Sequence, residues 1–139
     1  MWLLFAFLAA VTAALMTVFG KLGLKGIDPI LATTVRSILM AGFLVAVSLF
    51  SKKFQGFSLS SFGSRDWWLI GLAGLAGALS WLFYFAALKT GDATKVAAID
   101  RLSIVFIVLM AGLFLGETTT WKTVLGAVFI SGGAFLIVW

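Results

Sequence analysis

The hydrophobic positions fall into five long runs separated by short polar stretches, which predict helices at about 2–20, 29–51, 67–88, 94–116 and 120–139. Each run approaches the roughly 20 apolar residues that cross a hydrocarbon core of about 30 Å at a rise of about 1.5 Å per residue. The first is uncharged up to Lys21, the second is interrupted only by Arg36, and the third extends from Trp67 to Leu88. The fourth carries Asp100 and Arg101, and the fifth holds only Lys122 near its start. The longest connection, 52–66, is rich in Ser, Gly and Phe and leaves no room for a separate domain. The first run has small residues like a signal peptide, but it lacks a basic leader and exceeds the usual apolar stretch of about 7–15 residues, so it reads as a retained helix. Boundary signals agree. Trp2, Trp67, Trp68 and Trp121 fall at one membrane face and Trp139 at the other, as interfacial anchors do. Asp28-Pro29 offers a cap and a first-turn proline for the second helix, while Gly91-Asp92 and Thr94 close the third and open the fourth.

Composition narrows the class. The 139 residues are 63% hydrophobic and 11% charged, against about 45–50% and about 25% in soluble domains. Such a chain cannot cover its surface with polar groups, which excludes a soluble globular fold. The net charge is +5, but the charges sit at loops and helix ends, and no basic helix face of the kind nucleic acid requires is present. With Cys 0 and His 0, there is no disulfide frame or thiolate, and both the commonest metal ligand and the usual acid–base catalyst are missing. No cofactor and no metal are expected. An intramembrane enzyme is disfavoured further because no two carboxylates lie close together on one helix face.

Orientation is left undecided by the loops. Lys52, Lys53, Arg65 and Lys122 fall on the face of the N-terminus, and Lys21, Lys25, Lys89 and Lys95 on the opposite face, an even split. Topology normally follows a Lys/Arg bias between short loops. Either some other feature fixes one orientation, or copies insert both ways and pair antiparallel. The odd number of spans gives the second reading substance. Many transporters consist of inverted repeats with the solute site at the repeat interface, and a five-span unit acquires the same symmetry by dimerising head to tail.

Charges inside a span are costly and are usually retained for pathways or pairing. Arg36 lies about 12 Å into the layer from Asp28, and Asp100 and Arg101 about 9–10 Å from Thr94 on the same side, where Lys21 also ends the first helix. The N-termini of the second and fourth helices point the same way, so this half favours an anionic or strongly dipolar group. Thr17 precedes Lys21 on a stripe shared with Ala10 and Ala14. In the third helix, Ser80 and Tyr84 are one turn apart with Trp81 beside them, an aromatic wall for a flat or cationic solute. Blander roles compete: Lys21 and Arg36 can snorkel to the headgroups, Asp100 can be a fixed partner of a cation, and the aromatic group can be packing. Gly71, Gly74 and Ala78 in the third helix, and Ala127, Ser131 and Ala134 in the fifth, mark faces where another backbone can approach, within the chain or across a dimer.

Three segments carry a family resemblance. KLGLKGIDPILATTVRSILMAG (21–42) resembles the start of the EamA-like repeat of the drug/metabolite transporter superfamily, with Lys21, Asp28, Pro29 and Arg36 in matching order and spacing. SWLFYFAALKTGDATKVAAIDRLSIVF (80–106) resembles that repeat's junction between third and fourth helices. LFLGETTTWKTVLGAVFISGGAFLI (113–137) resembles its Leu-Gly-Glu turn and Gly-rich last helix, with Glu117 and Gly126 in place. Many members have a proline near the position of Ile104; without it, Ile99-Asp100-Arg101 is expected to lead an unbroken helix, as in the single-repeat branch. The resemblance implies an all-α membrane protein of one EamA-like domain over 1–139, five transmembrane helices forming half of a ten-helix inverted-repeat transporter. It also implies secondary transport without ATP or metal, in a bacterial-type inner (plasma) membrane.

The expected function is therefore alternating-access transport, in the export direction, of a small metabolite or drug-like solute by an antiparallel homodimer in contact with lipid. Its candidate site comprises Lys21, Arg36, Asp100, Arg101, Trp81, Tyr84, Ser80 and Thr17, with Asp100 able to take up a proton as solute passes. The alternative is a non-transporting membrane subunit, or a lipid-headgroup-handling partner of a larger complex.

Overall fold

A computed structural model describes residues 1–58 and 62–139. The elements are α1 (Trp2–Gly23), α2 (Pro29–Phe50), α3 (Ser64–Thr90), α4 (Ala93–Asp100), α5 (Ser103–Met110), a π-helical turn (Ala111–Leu115) and α6 (Trp121–Val138), with no strand among the described residues. Among the described residues, five helical segments are long and apolar enough to cross a membrane: α1, α2, α3, the segment Ala93–Leu115 and α6. The protein is thus an all-helical, multi-pass integral membrane protein. Its large apolar side chains point outward, Phe43 being 68% exposed and Phe83 72%. This surface suits a hydrocarbon solvent, in which only a helix or a closed barrel satisfies its own backbone.

Local chemistry sets the helix ends. At the start of α2 the Asp28 side chain accepts from the Ile30 and Leu31 N–H groups at 2.9 and 3.2 Å, and Pro29 occupies the first turn where its missing N–H costs nothing. The end of α2 closes by reciprocal bonds, Lys53 N–H to Ser48 C=O at 2.9 Å and Lys52 N–H to Leu49 C=O at 3.0 Å. This closure places its linking residue in left-handed backbone, and here that residue is Lys52 (φ 54°) where glycine is usual. α3 begins at Ser64 rather than Trp67, because Asp66 reaches back to accept the Gly63 N–H at 3.0 Å and so makes polar 64–66 its first turn. Residues 59–61 of the 52–66 connection lie outside the described residues. Thr120 caps α6 by accepting the Thr123 N–H at 3.3 Å.

The fourth span departs from the unbroken helix expected of it. Around Asp100-Arg101 the backbone bonds shorten to three-residue steps: Arg101 to Ala98, Leu102 to Ile99, Ile104 to Arg101 and Val105 to Leu102. Tight 3₁₀ geometry thus separates α4 from α5 without any proline. Farther on the coil loosens into the π turn, and Gly116 ends it at φ 65°, with the Glu117 N–H reaching Ala111 C=O at 3.2 Å. A side chain at Gly116 would be strained in this left-handed conformation, which explains the glycine of the Leu-Gly-Glu turn.

The chain forms two compact units, Leu22–Lys89 and Met1–Lys21 with Thr90–Trp139. In the second, α4 and α5 pack against α6, and the Lys95 ammonium donates to the Val138 carbonyl at 3.0 Å, at the otherwise unsatisfied end of α6. Ala98, Ala127 and Ala134 are buried, so the small-residue face of α6 is used inside the chain. In the unit Leu22–Lys89, by contrast, the stripe Gly71, Gly74 and Ala78 is exposed. There the buried residues are Leu24, Thr33, Phe85 and Leu88.

Candidate functional site: an arginine stacked on aromatic rings

Hydroxyls in these spans largely satisfy themselves on their own helices: Thr33 donates to Pro29 C=O at 2.7 Å and Ser37 to Thr33 C=O at 2.8 Å. Arg36, on the same stretch of α2, has a side chain too long and a charge too large for that solution. Its guanidinium carbon sits 3.7 Å from the centroid of the Trp81 ring on α3 and 5.1 Å from that of Phe85. The ring faces carry negative quadrupole charge, and a half-buried contact of this kind contributes about 1 kcal/mol. That offsets part of the roughly 2.5–3.5 kcal/mol that a central arginine costs on insertion scales.

The rings support each other. Trp81 meets Tyr84 at 5.9 Å and Phe85 at 6.0 Å, and Tyr84 meets Phe85 at 6.2 Å, all at steep angles between 56° and 77°. Spacings of three and four residues put Trp81, Tyr84 and Phe85 on one face of α3. Phe85 is 3% exposed and anchors the cluster, whereas Trp81, Tyr84 and Arg36 are half-buried. Ser80, one residue off this face, is exposed. Within this unit the guanidinium N–H groups meet no hydrogen-bond acceptor or carboxylate among the described residues. Phe85 is absent from the sequence-based set, although its four-residue offset from Trp81 was there to be read.

The other unit holds Lys21, Thr17, Asp100 and Arg101. The Lys21 ammonium donates to the Gly91 carbonyl at 2.8 Å, in the short link before α4, so it fastens the end of α1 to that corner. The Thr17 hydroxyl is buried and donates to Ala13 C=O at 3.0 Å. Asp100 and Arg101 flank the 3₁₀ step and are both exposed, and neither side chain has a hydrogen bond or ion pair within its unit among the described residues. Among the described residues no cluster of His, Cys, Asp or Glu is arranged to hold a metal.

An open groove of about 810 Å³ also runs between α5 and α6, bordered by Val105, Val108, Leu113, Val124 and Val128, with Gly112, Thr119 and Ser131. Among the described residues no charged side chain borders it, and its chemistry suits acyl chains or another helix rather than a polar solute.

The EamA-like transporter family matches the chain over residues 1–139. A protein of Sinorhizobium sp described as an uncharacterized transporter in the cobO 3' region is 40% identical over 136 residues, a match covering 98% of this chain and 95% of that protein. No solved structure matches.

Proposed function

This chain belongs to the EamA-like transporter family, and on that premise we propose that it is a secondary carrier exporting a small solute by alternating access. Family membership sets it among transporters rather than enzymes. The observation that carries the site is Arg36, a cation inside a membrane span, held by rings and with its donors unmet within its unit. A side chain this expensive to insert is usually retained where something must be recognised or passed.

Asp100 and Arg101 support the same reading, since both stand exposed in the fourth span, beside a break in regular helix geometry. Irregular backbone within a membrane belongs where it faces protein or a water-filled path. With Arg36 and these two we include Trp81, Tyr84, Ser80, Lys21 and Thr17 in the translocation set. Residues 1–139 act as one EamA-like domain, and the working unit is an antiparallel homodimer in a bacterial-type inner membrane. The even distribution of loop cations supports insertion in both directions, and the exposed Gly71, Gly74 and Ala78 leave a face on which a second helix can settle.

Reconstitution in proteoliposomes tests the site. Arg36→Ala and Asp100→Asn are each expected to reduce solute flux to background while the oligomer survives in detergent. Wild-type flux in both variants removes the site, and a stable monomer without flux points to a non-transporting subunit.

A further inference from the structure

We infer that Arg36 receives an oxyanion, so that the ligand of this site is a carboxylate, sulfonate or phosphate carried on a flat apolar body. That this ligand is a transported solute rests on the carrier reading above; the anion chemistry does not.

A guanidinium has five N–H donors arranged in its plane. The guanidinium carbon lies 3.7 Å over the Trp81 ring, a distance that fits stacking of the two planes, and stacking leaves the in-plane donors free. Their fork matches the two oxygens of a carboxylate or phosphate, a geometry that lysine lacks. The unit offers no such group of its own. Its acidic residues are Asp28 and Asp66, and both carboxylates already accept backbone N–H groups at helix starts. Arg36 is therefore an uncompensated positive charge within Leu22–Lys89, attractive to an anion and repulsive to an amine. The half-buried rings of Trp81 and Tyr84 beside it supply an apolar surface for the ligand's body.

The test uses the full chain in neutral maltoside micelles with 4-fluorobenzoate and 4-fluorobenzenesulfonate as probes, read by fluorine NMR line broadening. We expect saturable binding of at least one probe, displaced by benzoate and not by benzylamine at equal concentration. Arg36→Gln should weaken it at least tenfold. Arg36→Lys, which keeps charge and length but not the fork, should weaken it at least threefold and covers the case in which the glutamine variant fails to fold. Absence of saturable binding, equal displacement by benzylamine, or unchanged affinity in the folded variants overturns the inference.

Nanodiscs separate the two sources of oxyanion. Probe binding lost in phosphatidylcholine and phosphatidylglycerol but kept in phosphate-free digalactosyldiacylglycerol assigns the site to a lipid phosphate, and equal binding in all three assigns it to a free solute. Flux of radiolabelled benzoate separates this inference from the carrier reading. Binding without flux overturns the carrier alone, whereas flux indifferent to Arg36→Gln overturns the oxyanion alone.

Discussion

Arg36 and Lys21 show how differently two membrane cations can be accommodated. Lys21 has found a carbonyl, that of Gly91 at 2.8 Å, and part of its role is to hold the corner before α4. Replacing it by methionine keeps the length but removes the charge-assisted bond, and we expect a stability loss of about 1 kcal/mol. Thermal unfolding in micelles measures this, and an unchanged midpoint would show that the bond contributes nothing. Arg36 has found rings instead, and rings attract its charge without neutralising it or satisfying its donors. Its position was legible in the sequence as a lone cation deep in an apolar run. Its partner was not, because Trp81 lies 45 positions away and nothing in the intervening pattern ties the two registers together.

Helix ends carry the clearest links between residue type and element. The Asp28-Pro29 start follows from capping chemistry that needs only neighbours in the chain, and it forms where the pattern placed it. The start of α3 runs three residues earlier than the apolar run, since Asp66 makes a turn from residues that hydropathy alone counts as loop. Two substitutions probe the left-handed closures. Lys52→Gly should stabilise by about 1 kcal/mol, because φ 54° crowds the side chain of any residue but glycine. Gly116→Ala should cost about 1 kcal/mol for the same reason in reverse, at φ 65°. Paired denaturation curves check both; equal stability of all three proteins would mean that these turns relax freely. The 3₁₀ step at Asp100-Arg101 was hidden from a reading that relied on proline to mark breaks, for the step arises without one.

For the molecule as a whole, the even spread of Lys and Arg between loops leads to a measurement of orientation. A single cysteine at Lys53 introduces a unique label, since the chain has Cys 0. Impermeant maleimide should react with it from both sides of sealed cells under dual insertion. Reaction from one side alone would refute dual insertion and require a partner other than an inverted copy of this chain.

Five spans and their approximate limits could be worked out without coordinates, because length and apolarity are properties of contiguous residues and the bilayer imposes a known thickness. The same holds for the family, whose motifs are local strings around Lys21–Arg36, Ser80–Phe106 and Leu113–Ile137. Packing supplied the rest: that Arg36 lies on Trp81 and Phe85, that Lys21 donates to Gly91, and that Ala127 and Ala134 are consumed within the chain while Gly71 and Gly74 remain exposed. Each of these joins residues on different helices or selects one helix face over another. In a chain apolar on nearly every side, the periodicity that usually picks the inward face is too faint to do so.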